Sequence, residues 1–248
     1  MKKYLLSLVP FLALTANAVT YMCVKTDDGQ VKKYKTDEVA KVEYADLENG
    51  VSVTGQIGDF TYVDLGLESG TLWATCNVGA FAPTELGSYF AWAETEPKKN
   101  YSLETLAYYD ATAKEYTKYG KDGLVVLKAA DDAASFNWGS KWRMPTVQEL
   151  RELHDGCDWT WSANFYNSNV SGYVGTSKKN GNIIFLPAAG VYISTSLSSK
   201  GERGLYLSAS LDEESNMARG FYLNFTASAS QVLSDGRFYG HSVRAVAK

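Results

Sequence analysis

The chain is short of the residues that most often carry chemistry. It holds two histidines, His154 and His241, and three cysteines in 248 residues. Two histidines cannot build a three-histidine metal centre within one chain. Either one could be imagined in a Ser–His–acid triad, but no nucleophile motif supports it. Prolines number only five, and no segment reaches membrane-spanning length. Long runs of like charge are also missing. The formal net charge is −4, and an acidic surface argues against nucleic acid, whose phosphates demand a basic footprint.

What is present begins with an export signal. Lys2 and Lys3 precede a mostly apolar stretch from Tyr4 to Leu14, and Ala16-Asn17-Ala18 supplies the small–x–small pattern of a cleavage site. Residues 1–18 are therefore expected to be a signal peptide. The destination is the periplasm, the cell surface or the medium. Cys23 is a poor lipidation site because Met22 before it is not small. Removing residues 1–18 takes two of the 24 cationic residues and leaves 22 against 28 acidic ones, a charge of −6. About 230 residues then remain, enough for one large core with a small appendage.

Residues 19–59 read as a small β-rich lead-in, with Asp28-Gly29 as the turn of a hairpin. From residue 60 onward tryptophans, glycines and short apolar runs dominate. Thr146 and Glu149 have the spacing of a capping box, which predicts a helix carrying Val147, Leu150 and either Leu153 or His154 on one face and ending near Gly156. Asp131 to Phe136 is expected to be a short helix, and residues 103–119 stay open between helix and loop. Asn180-Gly181 between two β-prone runs is the strongest hairpin signal. In an oxidising compartment Cys76 and Cys157 are the favoured disulfide, worth roughly 4 kcal/mol by the chain-entropy argument. The alternative is two buried thiols.

Five segments stand out in order: DLGLESGTLWATCNVGA at 64–80, FAWAETEP at 90–97, DDAASFNWGSKWRMPT at 131–146, NIIFLPAAG at 182–190 and GHSVRAV at 240–246. Through them, residues 60–248 resemble the "Fibrobacter succinogenes major paralogous" domain family, related to C-type-lectin-like folds and to formylglycine-generating enzyme. The resemblance implies an α+β domain of C-type-lectin-like fold, with two small antiparallel sheets, flanking helices and a last strand returning near the start. It departs from the family at Leu205-Tyr206-Leu207, where a tryptophan is expected.

The family relations also set functional expectations. The enzyme relatives use a late cysteine pair, and no cysteine follows Cys157. Calcium-dependent lectins need a ligand oxygen where Glu96-Pro97 is followed by Lys98. No cofactor is therefore expected, apart from a structural calcium near Asp131-Asp132, where helix capping is the favoured reading. The expected role is exported, non-catalytic recognition or adhesion: binding of a glycan or a protein through loops between the late strands. The candidate contacts are Trp159, Trp161, Tyr192, Ser194, Glu202, Arg203, Asp212, Asn216, Arg219, Arg237 and Tyr239. Trp73, Trp92, Trp138 and Trp142 are expected in the core, and Arg143 and Arg244 as structural hydrogen-bonders. The alternatives are a structural component of a surface assembly and an enzyme on the formylglycine-generating-enzyme-like fold with an unrecognised site.

Overall fold

The computed structural model describes residues 21–25, 31–35, 47–48 and 50–248. The expected signal peptide, its cleavage site and the Asp28-Gly29 turn lie outside the described residues. The chain divides into two units, Met1–Tyr44 and Ala45–Lys248. In the first, strands Tyr21–Lys25 and Val31–Lys35 pair antiparallel, with Cys23 opposite Lys33. The second begins at Ala45 rather than at residue 60. The short strand Gly55–Ile57 pairs with Phe60–Asp64 and so belongs to the larger unit.

Small, mostly antiparallel sheets with few helices make up the larger unit. The principal sheet has five strands, in the order Ser230–Gly236, Arg219–Thr226, Arg203–Asp212, His241–Ser242 and Tyr89–Phe90. Its central strand Arg203–Asp212 is buried along almost its whole length. Side-chain alternation splits that strand between two cores. Leu205 and Leu207 join Tyr222, Trp92 and Trp142 on one side, while Tyr206 joins Phe225, Leu150 and Trp73 on the other. Leu205 and Leu207, at 2% and 3% exposure, both face inward.

A second sheet runs Val246–Ala247, Leu72–Ala74, Phe60–Asp64 and Gly55–Ile57, so the last strand returns beside an early one. The third sheet, Cys157–Ser162, Gly172–Ser177 and Ile183–Pro187, contains the Asn180-Gly181 hairpin. There Gly181 adopts a positive φ of 76°, which the turn requires and a side chain resists. Residues 103–119 resolve into a 3-10 turn at Leu103–Thr105 and a hairpin of Tyr109–Asp110 with Glu115–Tyr116.

Two short helices complete the unit. Helix α1 spans Ala133–Trp138, and Asp132 caps it by accepting from the Ser135 amide. Helix α2 spans Val147–Gly156 with the capping box of Thr146 and Glu149 formed, and Val147, Leu150 and Leu153 buried. Trp73, Trp92 and Trp142 are fully buried. Trp138 is only partly buried, because its ring stacks on Phe60 at the margin of the core.

Arg244 is buried and bonds Asn77 Oδ1 at 2.9 Å, the carbonyls of Ala74 and Thr75 at 3.0 and 2.9 Å, and Phe185 O at 2.9 Å. It thereby ties the second and third sheets through main-chain acceptors. Burial lowers its pKa, but its bonds satisfy the guanidinium without a carboxylate.

Candidate functional site

The candidate site grows out of the first turns of α2. Glu149 points inward and is fully engaged. It accepts Arg143 Nη1 at 2.7 Å, the Thr146 amide at 2.8 Å and Thr71 Oγ1 at 2.8 Å. Burial alone would raise its pKa, but these donors more than offset that, and it falls to about 2. The Thr71 bond therefore ties the helix start to the early strand Leu72–Ala74, and Arg143 holds the carboxylate in place.

The exposed face of the helix points elsewhere. Gln148 and Arg151 line an open cleft of about 510 Å³. Val125, Val126, Val147 and Leu211 supply its apolar surface, and Phe221 lies under Arg151, whose guanidinium is 5.7 Å from the ring centroid. The opposite rim is the late turn Asp212–Glu214. Asp212 shapes this turn by accepting the Glu214 amide at 3.2 Å and the Ser234 hydroxyl at 2.6 Å. The turn closes at Asn216, whose left-handed φ of 50° asparagine tolerates better than most residues.

A β-bulge in the strand Arg203–Asp212, between Leu207 and Leu211, sets the cleft floor. It lets Ser208 O accept the Trp92 indole at 3.0 Å and Ser210 Oγ accept the Val147 amide at 3.1 Å. Gly220 lies against Trp92, where an added Cβ would come within 2.4 Å of the ring.

Among the described residues, the side chains of Gln148, Glu213 and Glu214 make no hydrogen bond or ion pair, and Arg151 makes only its ring contact. The cleft thus offers hydrogen-bond donors, acceptors, both signs of charge and apolar walls to an outside molecule. Its one hydroxyl beside the floor, Ser210, is buried and occupied.

Of the expected contacts, Asp212 alone lines this cleft, and the others do not converge on it. Trp159 and Trp161 sit on the strand Cys157–Ser162, partly buried against the core. Trp159 stacks on Tyr173 and donates to His154 O at 2.9 Å, while Trp161 meets Tyr173 and Phe225 edge-on. Tyr192 packs between Tyr89 and Tyr101, and Tyr239 lies on Phe238. Ser194, Glu202, Asn216 and Arg219 are exposed. Arg203 bonds Asn224 Oδ1.

Two expectations need correction. Arg237 is not a surface contact: it is 1% exposed, and its guanidinium stacks on Trp92 at 4.6 Å and Tyr116 at 4.7 Å while bonding Lys118 O. Most of the segment Ala229–Phe238 forms the edge strand Ser230–Gly236, so its end is drawn inward. Cys76 and Cys157 are not joined. Cys157 is a buried thiol among Leu150, Leu153 and Leu67, with its pKa pushed up to about 12 by burial, and Cys76 Sγ donates to Ala80 O at 3.3 Å.

The aspartates considered for calcium are taken up by protein donors. Asp132 accepts the Ser135 and Met144 amides, both at 2.8 Å. Asp131 accepts Lys118, Tyr108 and Tyr119. Burial pushes Asp131 up, but these bonds outweigh it and hold its pKa below the usual carboxylate range.

Each histidine has a distinct setting. His154 Nε2 lies 2.9 Å from Ser230 Oγ and its Nδ1 2.8 Å from Asp155 Oδ1. This is the atom order of a hydrolytic triad. Asp155, however, is 78% exposed, where water weakens its hold on the ring. His241 is 1% exposed, stacks on Tyr222 at 5.1 Å and has no partner for either ring nitrogen among the described residues. Burial, aided by the Arg203 charge, lowers its pKa to about 3.

The sequence signal that misses the cleft is instructive. Gln148 and Arg151 sit inside the helix that the capping box reveals, on the face that the apolar pattern leaves outside. Val125, Val126 and Phe221 carry no local signal of their own. No described helix is long and apolar enough to cross a membrane. Comparison with known proteins finds no matching family model, no matching curated protein and no matching solved structure.

Proposed function

We propose that this chain is an exported recognition domain of C-type-lectin-like fold, akin to the major paralogous family, and that it binds a glycan or protein ligand in the cleft between α2 and the late turn Asp212–Glu214. One observation carries the reading. The rim side chains Gln148, Glu213 and Glu214 make no protein hydrogen bond or ion pair among the described residues, around a cleft of about 510 Å³. Polar groups held in a concave surface without internal partners are suited to an external one. Export rests on the sequence of residues 1–18 alone.

The test is capture on glycan and extracellular-protein arrays by the native chain and by Arg151→Ala and Glu214→Gln. Binding that weakens at least about tenfold in both variants supports the cleft, since charged contacts of this kind are worth over 1 kcal/mol. Binding that ignores both variants, or no binding to any probe, removes the proposal.

A second reading is hydrolytic and rests on Ser230–His154–Asp155. Covalent labelling of Ser230 by a fluorophosphonate, lost in Ser230→Ala, would put it first. An unlabelled serine dismisses it.

A further inference from the structure

The strand Ser230–Gly236 closes one edge of the five-stranded sheet and, among the described residues, has a neighbour on one side only. Its pairing with Arg219–Thr226 tells which amides face outward. Thr226 N donates to Ala229 O at 2.8 Å, so those two form a hydrogen-bonded pair. Antiparallel ladders alternate. Phe225 with Ser230, Leu223 with Val232 and Phe221 with Ser234 are then the non-hydrogen-bonded pairs. The main-chain groups of Ser230, Val232 and Ser234 therefore point away from the sheet. Among the described residues none of their amides bonds another segment. The Gly236 amide is held at 2.7 Å by the Asp235 side chain.

Such edges are usually guarded by proline, lysine, a bulge or a covering segment. This strand reads SQVLSDG, with neither proline nor lysine, pairs in continuous register with its neighbour, and has no fully buried residue.

We infer that this edge pairs with the same edge of a second copy, antiparallel, about a two-fold axis at Leu233. Only registers that match outward groups with outward groups can bond. Centring on Leu233 is the one that uses the whole strand. It sets Val232 opposite the partner's Ser234 through their outward amides and carbonyls. On one face, Leu233 meets its own copy and Gln231 meets Asp235. No like charges are opposed, and the amide of Gln231 can donate to the carboxylate of Asp235. Centring on Ser234 instead places Leu233 against Asp235, and centring on Val232 leaves Asp235 beyond the paired strand. Charge and polarity thus select this register, in which the edge is complementary to itself. The area of one strand pair is small, so the dimer is weak and forms at high local concentration, as on a crowded surface. This inference does not depend on the cleft.

The test is sedimentation velocity of the full chain across a concentration series up to the high micromolar range. Gln231 is exposed, so its substitution spares the fold. Gln231→Lys places a cation opposite Asp235 twice in each dimer and is expected to tighten association about threefold or more, and Gln231→Glu to loosen it by a similar factor. Ser228→Lys and Ser228→Glu make the same charge changes outside the strand and should shift it far less. A chain that stays monomeric throughout overturns the proposal. So do charge effects equal at positions 228 and 231, or association unaffected by either Gln231 variant.

Discussion

Glu149 and Gln148 are neighbours on one helix and do opposite work. Glu149 is 8% exposed and takes donors from Arg143, Thr146 and Thr71. Gln148 is exposed and bonds nothing among the described residues. The same contrast separates the inner framework, with Arg244 and Asp132, from the cleft rim, with Arg151, Glu213 and Glu214. A polar group whose bonds are all made inside the fold contributes stability. One whose bonds are unmade at a concave surface is available for recognition. Sequence position alone does not separate the two classes.

The largest effect that would sharpen this contrast is Glu149→Gln. It leaves Arg143 and Thr71 facing a neutral amide, at a cost of about 3 kcal/mol. Urea denaturation measures it, and a loss under about 1 kcal/mol would break the framework half of the comparison. The same carboxylate predicts acid sensitivity. Its folded pKa of about 2 lies below its ordinary value of 4.5. Its contribution is therefore complete above pH 4.5 and is lost as pH falls toward 2. Glu149→Gln should flatten the melting-temperature profile in that window.

His241 supplies an intermediate effect in a different window. It is neutral when folded down to about pH 3, whereas an unfolded histidine binds a proton below about 6.5. The unfolded state thus gains protons first, and stability falls by about 1.4 kcal/mol for each pH unit between 6.5 and 3. His241→Phe keeps the stack on Tyr222 and removes that slope. It should cost under about 1 kcal/mol at pH 7, because neither ring nitrogen has a partner to lose among the described residues. A large loss at neutral pH would show that the ring nitrogens are engaged after all.

The smallest effects belong to the rim. Arg151→Ala and Glu214→Gln should each change stability by no more than about 0.5 kcal/mol, while ligand capture falls. Destabilisation comparable with Glu149→Gln would place the rim in the framework and end the comparison.

Local signals were readable where one short segment decides its own conformation. The Thr146–Glu149 capping box and the Asn180-Gly181 turn follow from residues near each other, whereas a last strand returning near the start is implied by the family resemblance alone. The expected contact residues were less legible. Arg237 looks like a surface arginine in sequence, yet the edge strand carries it under Trp92, Tyr116 and Tyr119. Trp159 and Trp161 share a strand face, but whether that face meets ligand or core depends on Tyr173 and Phe225 from other strands. The Cys76–Cys157 pair failed for the same reason: cysteine spacing says nothing of which core each thiol enters.

By itself the sequence determined the acidic balance, the scarcity of histidine and cysteine, the helix caps and the tight turns. These depend on composition or on a few adjacent residues. Only the tertiary structure decided which charges are consumed and which are left open. That choice is made by partners far along the chain: Thr71 and Arg143 for Glu149, Phe221 for Arg151, Ser234 for Asp212. Hydrogen bonding and burial act over a few ångströms in space, and chain folding alone brings such residues that close.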